Sequence, residues 1–256
     1  MVLAHGFGCD QSMWRYLVPA FENDFRVVTF DHVGHGSANA NTFDPKRYAT
    51  LQGYADDVLE ICAALAIRDA VFVGHSVSAM IGILAARKDP ARFSTLVLIG
   101  PSPRYVNEGD YIGGFTREDI DGLLEYLDSN YLGWSSTMAP VIMANAERPA
   151  LSEELKNSFC RTDPEVAKHF ARVTFLSDNR EDLPKVTVPT LILQCSHDSI
   201  APQSVGRYVE ANIPHSTFVQ LSASGHCPHL SEPDETVTAI QTFLRQRGLS
   251  GDCAAR

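Results

Sequence analysis

The chain has 256 residues, 45% of them hydrophobic and 20% charged, a profile that excludes collagen-like, low-complexity and disordered classes. Thirty-one acidic residues against 21 basic ones leave a formal charge of −10, which argues against nucleic acid or an anionic membrane surface as a partner. No apolar stretch approaches the roughly 20 residues of a membrane span.

The chain opens on Met1-Val2-Leu3-Ala4-His5-Gly6 with no charged segment or cleavage site of a secretory signal, so the expected location is cytoplasmic. Short apolar runs follow at Phe25–Phe30, Ala70–Gly74, Thr95–Ile99, Thr190–Gln194 and Thr217–Leu221. They are near-continuous rather than alternating, as expected of parallel strands buried on both faces. Between the first two, Leu51–Leu65 carries apolar residues at Leu51, Tyr54, Ala55, Val58, Leu59, Cys62 and Leu65, a helical stripe. Val77–Arg87 and Thr236–Leu244 also read as helices, with Pro202 and Pro233 opening helices at their first turns. Strands alternating with helices predict an α/β fold, a mostly parallel sheet flanked by helices.

From Pro101 to Pro189 the strand rhythm stops. Thr116–Tyr131, Trp134–Ala144, Leu151–Phe159 and Pro164–Phe175 read as helices, with breaks at Gly133, Pro149 and Asp163-Pro164. A helical block between two strands of one sheet reads as an inserted lid. Residues 1–101 and 187–247 are then the core, 102–186 the lid, and 248–256, small and polar, a flexible tail. The six cysteines are scattered with no C-x-x-C pair and read as reduced thiols. His32 and His35, or His226 and His229, are spaced three apart, but no cysteine or carboxylate set completes a ligand group around either pair, so no metal or cofactor is expected.

The sharpest local signal is Val71-Phe72-Val73-Gly74-His75-Ser76-Val77-Ser78-Ala79. An apolar strand runs into a tight turn with Ser76 at its apex and a small-residue helix behind it, the arrangement of a nucleophile elbow. The motif departs from G-x-S-x-G because Ser78 replaces the second glycine. A serine hydroxyl is a poor nucleophile until a base takes its proton. The run Thr190–Cys195 leads through Ser196-His197 to Asp198, and Thr217–Leu221 leads through a Ser/Gly loop to Gly225-His226. The order Ser76, Asp198, His226 is that of one of three unrelated triad scaffolds. All three lie just past the carboxyl ends of strands, the edge where open α/β sheets place their sites. His215 precedes a strand and reads as a surface residue, His229 as packing beneath its loop, and Asp178 as a secondary candidate for the acid. Two backbone amides are expected to hold a developing oxyanion: that of Val77, after the nucleophile, and that of Phe7 in the His5-Gly6-Phe7-Gly8 turn. The glycine-rich Asp31–Ser37 segment holds no phosphate fingerprint and reads as scaffold.

With the elbow GHSVSAMIG, the opening HGFGCDQSMW, IGPSPRYVN at Ile99–Asn107, GGF at Gly113–Phe115 and GHCPHLS at Gly225–Ser231, the sequence resembles the RsbQ-type α/β hydrolases. That family includes the bacterial stress-signalling hydrolase RsbQ and the plant strigolactone and karrikin receptors. The resemblance runs from about Val2 to Leu244; GHSVSAM is similar to the plant receptors, and TVPTLILQC and GHCPH resemble the bacterial branch. It implies an α/β-hydrolase core under a four-helix cap, with Ser76, Asp198 and His226 as triad and Phe7 and Val77 as oxyanion amides. Implied pocket residues are Phe7, His75, Tyr105, Phe115, Trp134, Met138, Leu155 and Phe175, Met138 standing where the plant receptors tend to have Phe. The implied activity is hydrolysis of a small hydrophobic ester or lactone. A ligand-sensing module that binds a partner protein such as a signalling phosphatase is the alternative, and a cofactor-free haloperoxidase or C–C hydrolase a weaker one, since fold and triad do not fix the reaction. Members of this fold usually carry two N-terminal antiparallel strands before the HGFG strand. Val2 already lies in that strand, so those strands are expected to be missing, with Phe25–Phe30 left as an exposed edge and a truncated or misassigned start as the expected cause.

Overall fold

A computed structural model describes residues 1–249; the rest of the tail read at 248–256, including Cys253, lies outside the described residues. Six strands, β1 (Val2–Ala4), β2 (Val28–Phe30), β3 (Ala70–His75), β4 (Phe93–Ile99), β5 (Thr190–His197) and β6 (Ser216–Ser224), form one sheet in the order β2-β1-β3-β4-β5-β6. Every pairing is parallel. The helices are α1 (Val18–Phe21), α2 (Leu51–Ala64), α3 (Val77–Lys88), α4 (Arg117–Ser129), α5 (Tyr131–Met143), α6 (Pro149–Arg161), α7 (Pro164–Phe175), α8 (Gln203–Asn212), α9 (Pro228–Ser231) and α10 (Pro233–Gln246).

Side chains alternate across the strands, so the sheet feeds two cores. Val2, Ala4, Phe72, Leu96 and Leu98 pack with α2, α3 and α8; Leu3, Val71, Val73, Val97 and Ile99 pack with α1 and α10. Helix α3 is buried at every position from Val77 to Ala86, which explains its apolar residues all round. The expectation of strands buried on both faces holds for the central ones only. The edge strands β2 and β6 are half-exposed, and the run Phe25–Phe30 shortens to Val28–Phe30, because the Phe25 amide turns back to the Phe21 carbonyl at 2.9 Å. Leu65, assigned to the buried stripe of α2, is 37% exposed at the helix end.

All of α4 to α7 lies between β4 and β5 in the chain. Helix α4 starts with a capping box between Thr116 and Asp119, and Asp163 caps α7 ahead of Pro164. Two expected breaks move. Gly133 sits inside α5, and the break falls at Asn130, whose side chain accepts from the Gly133 amide at 2.9 Å. Pro149 opens α6 rather than interrupting the chain before it, since a first-turn proline sacrifices no helical hydrogen bond. Ile120, Leu124, Trp134, Leu155 and Phe159 from this block join Leu3, Val73 and Ile99 from the sheet in one continuous core. Among the described residues no helix is long and apolar enough to cross a membrane.

Candidate active site

Strand β3 ends at His75, and Ser76 follows with φ 56° and ψ −121°. A non-glycine residue tolerates this conformation only where its surroundings enforce it. Here the Ser76 amide donates to the Ile99 carbonyl of β4 at 2.8 Å, and the Ser76 carbonyl accepts from Ala79 at 2.9 Å. The hydroxyl is thereby lifted to the carboxyl edge of the sheet.

From the next loop, Nε2 of His226 lies 2.8 Å from Ser76 Oγ and Nδ1 lies 2.7 Å from Asp198 Oδ2. Asp198 Oδ1 accepts the amides of Ile200 and Ala201 at 2.8 and 3.0 Å. Its side chain is fully buried, so those amides replace the water a buried carboxylate would otherwise need. His226 is held in turn: its amide donates to the Ile142 carbonyl at 2.8 Å, and its carbonyl lies 2.8 Å from Nε2 of His75. His75 is itself buried, which pushes its pKa well down; with a neutral ring, Nε2 is the donor in that contact. Gly225, at φ 86°, has Met143 against its backbone where a Cβ would stand.

Behind Ser76 is a narrow cavity of about 30 Å³, lined mostly by apolar side chains. Of the expected lining residues, Phe7, His75, Tyr105, Trp134, Met138, Leu155 and Phe175 are there. Phe115 is not. Its amide donates to Tyr105 at 3.2 Å and its carbonyl accepts from Asn107 at 2.8 Å, a bridge to the 105–107 segment, and the residue packs, partly buried, against the core. Cys9, Ile142, Phe159, Thr174, Ile200 and Cys227 also line the cavity and were not anticipated. Phe7 sits among aromatic rings, 5.9 Å from Trp134, 6.0 Å from Phe175 and 6.2 Å from Phe159. Burial pushes the Cys9 and Cys227 thiols up, so neither is a nucleophile at neutral pH.

The amides of Phe7 and Val77 donate to no backbone carbonyl among the described residues. Asp178, the secondary candidate for the acid, instead pairs with Arg104 and Arg180 at 2.6 and 2.7 Å. His215 is exposed, while His229 is buried against Trp14 and His75, ring centroids 4.8 and 4.5 Å away. Asp31 accepts from the amides of Gln11 and Ser37 at 2.8 and 2.9 Å, as scaffold. Among the described residues no group of three or more His, Cys, Asp or Glu could hold a metal ion.

The chain is 41% identical over 241 residues to the karrikin insensitive 2 receptor CA of Petunia hybrida, covering 94% of this chain and 89% of that one. It is 40% identical over 247 residues to the strigolactone esterase D14 of Arabidopsis thaliana, covering 96% and 91%. A solved hydrolase from Oleispira antarctica superimposes with a TM-score of 0.93 at 43% identity, over 95% of this chain and 90% of that one. The model of the alpha/beta hydrolase family matches residues 1–239. The chain belongs to the alpha/beta hydrolase family.

Proposed function

We propose that this hydrolase cleaves small hydrophobic esters or lactones through an acyl-enzyme on Ser76. The observation that carries the reading is the position of His226, within hydrogen-bond reach of Ser76 on one side and Asp198 on the other, at the wall of an apolar cavity. His226 takes the Ser76 proton as Oγ attacks the carbonyl carbon and returns it to the leaving oxygen; water then enters by the same route and releases the acid. Asp198 orients the ring and stabilises the imidazolium. The amides of Phe7 and Val77 receive the oxyanion. Residues 1–101 and 187–247 act as core and residues 102–186 as the cap that closes the cavity. Among the described residues the lining offers no Arg or Lys, which favours an uncharged substrate. Turnover of p-nitrophenyl acetate tests the assignment: wild type hydrolyses it, Ser76→Ala does not, and equal rates sink the triad.

A second reading rests on the relative that carries the name of a karrikin receptor. In it the protein is a cytoplasmic sensor of the RsbQ type, in which slow hydrolysis or ligand occupancy changes the cap and recruits a signalling phosphatase. A ligand-dependent pull-down of that phosphatase tests it, and silence with ligand present counts against it.

A further inference from the structure

The fully buried Ser78, at the place where the elbow motif commonly has glycine, has a hydroxyl with a single proton. That proton goes to the His5 carbonyl at 2.5 Å. His32 Nε2 lies 2.8 Å from the same oxygen, so the imidazole must be the donor there, with its proton on Nε2. The His32 amide donates to His5 Nε2 at 3.0 Å. The His5 proton is therefore on Nδ1, and Nδ1 donates to the Gly6 carbonyl at 2.8 Å. Burial pushes the pKa of both rings down, so each stays neutral with one donor and one acceptor face.

That chain of bonds ends on one peptide. The Gly6 carbonyl accepts from His5 Nδ1 and from the Cys9 amide at 3.2 Å. Carbonyl and N–H point to opposite sides of a trans peptide, so fixing the Gly6 oxygen turns the Phe7 N–H the other way. Gly6 itself lies against the elbow: a Cβ there would stand 2.5 Å from His75 Nδ1 and 3.3 Å from Ser76 Cβ. A flip of this peptide would present a carbonyl to a developing oxyanion in place of an N–H.

We propose that Ser78, His32 and His5 are positioning residues, a buried hydrogen-bond chain that holds the Gly6–Phe7 peptide with its N–H available to the oxyanion formed on Ser76. The inference rests on the hydrolase reading above and assigns these residues no contact with substrate. Loss of an interaction used only in the transition state lowers kcat and leaves KM alone, which separates this role from general structural support.

The test is p-nitrophenyl acetate kinetics together with inhibition by phenylboronic acid, whose tetrahedral adduct on Ser76 places an oxygen in the same hole. Ser78→Ala is expected to lower kcat by about tenfold to a hundredfold and to weaken boronate binding by a similar factor, with KM within about twofold. His5→Leu, which removes the Nδ1 donor, is expected to lose about a hundredfold in kcat. His5→Asn, which keeps an N–H donor at that position, is expected to recover at least about tenfold of it. Should Ser78→Ala fail to fold, the His5 pair decides alone. The proposal is overturned if kcat stays within about twofold of wild type in Ser78→Ala and His5→Leu, if KM absorbs the loss, or if His5→Asn is no better than His5→Leu. Wild type no faster than Ser76→Ala would instead remove the hydrolase reading and this assignment with it; dependence on Ser76 without dependence on positions 5 and 78 removes this assignment alone.

Discussion

Five histidines outside the Ser76–His226–Asp198 contact, His5, His32, His35, His75 and His229, are no more than 2% exposed. Burial pushes their pKa values down, to about 3 for His35 and His229 and in the same direction for the other three. In the unfolded chain each takes up a proton near the ordinary histidine value of about 6.5. Between those values the unfolded state binds more protons than the folded one, so stability is full above about 6.5 and is lost as pH falls. Integrating from about pH 7 down to about pH 5 gives about 2 kcal/mol for each of His35 and His229. His35 and His229 together lose about 4 kcal/mol, against a typical total of about 5–15 kcal/mol, and His5, His32 and His75 act in the same direction. Asp57, whose carboxyl burial pushes up, works in the opposite direction and subtracts from the loss. Urea unfolding followed by tryptophan fluorescence at fixed ionic strength is the assay. The midpoint should fall steadily from about pH 7 to about pH 5, and a His229→Gln variant should remove about 2 kcal/mol of the fall over that interval. A midpoint constant across this interval, or a slope unchanged in the variant, would refute the reasoning.

Replacing Asp198 with Asn should lower kcat on p-nitrophenyl acetate by about 10³–10⁴ with little change in the melting temperature, because the ring of His226 loses its orienting anion while the shape is kept; stopped-flow turnover and a thermal melt check both halves. Gly225→Ala puts a Cβ onto the Met143 carbonyl oxygen at a φ of 86°, so a loss of about 2–3 kcal/mol in unfolding free energy and of at least about tenfold in kcat is expected, measurable in urea and by steady-state kinetics. Phe159 is 1% exposed and lines the cavity. Its replacement by Ala should cost about 3–5 kcal/mol and shift the preference from p-nitrophenyl acetate towards p-nitrophenyl butyrate, since the space vacated adjoins Phe7 and Trp134; an unchanged acetate-to-butyrate ratio would place the acyl chain elsewhere.

The positions of Ser76, Asp198 and His226 were legible because each directly follows a strand that its own apolar run announces, and parallel strands bring their carboxyl ends to one edge. Residues whose role depends on a packing angle were harder to read. Phe159, on α6, and Thr174, on α7, face the cavity, but an inward stripe on an amphipathic helix has the same period whether it meets core or empty space. Phe115 stands outside the lining residues, tied to Val106 by a bridge between two loop segments that has no periodic signature. The edge strands misled for a related reason: β-branched residues announce a strand without saying whether a neighbour covers both of its sides.

The end of α5 links the cavity to the polar groups beside it. A helix leaves its last four carbonyls without partners along the helix. Here the Pro140 carbonyl accepts from Ala144 at 2.9 Å and the Ile142 carbonyl from the His226 amide at 2.8 Å. Val141 accepts from Ser199 Oγ at 3.2 Å, and Met143 from the Asn145 side chain, which also reaches the Ser224 carbonyl at 3.1 Å. Ser199 adjoins Asp198, and Ser224 lies two residues before His226, so both loops around the Ser76–His226–Asp198 contact are anchored on this one helix end. The same helix contributes Trp134, Met138 and Ile142 to the cavity wall. A displacement of α5 by about 1 Å would stretch these bonds beyond useful length, and a ligand pressing on Trp134 or Met138 would act on the anchor of His226.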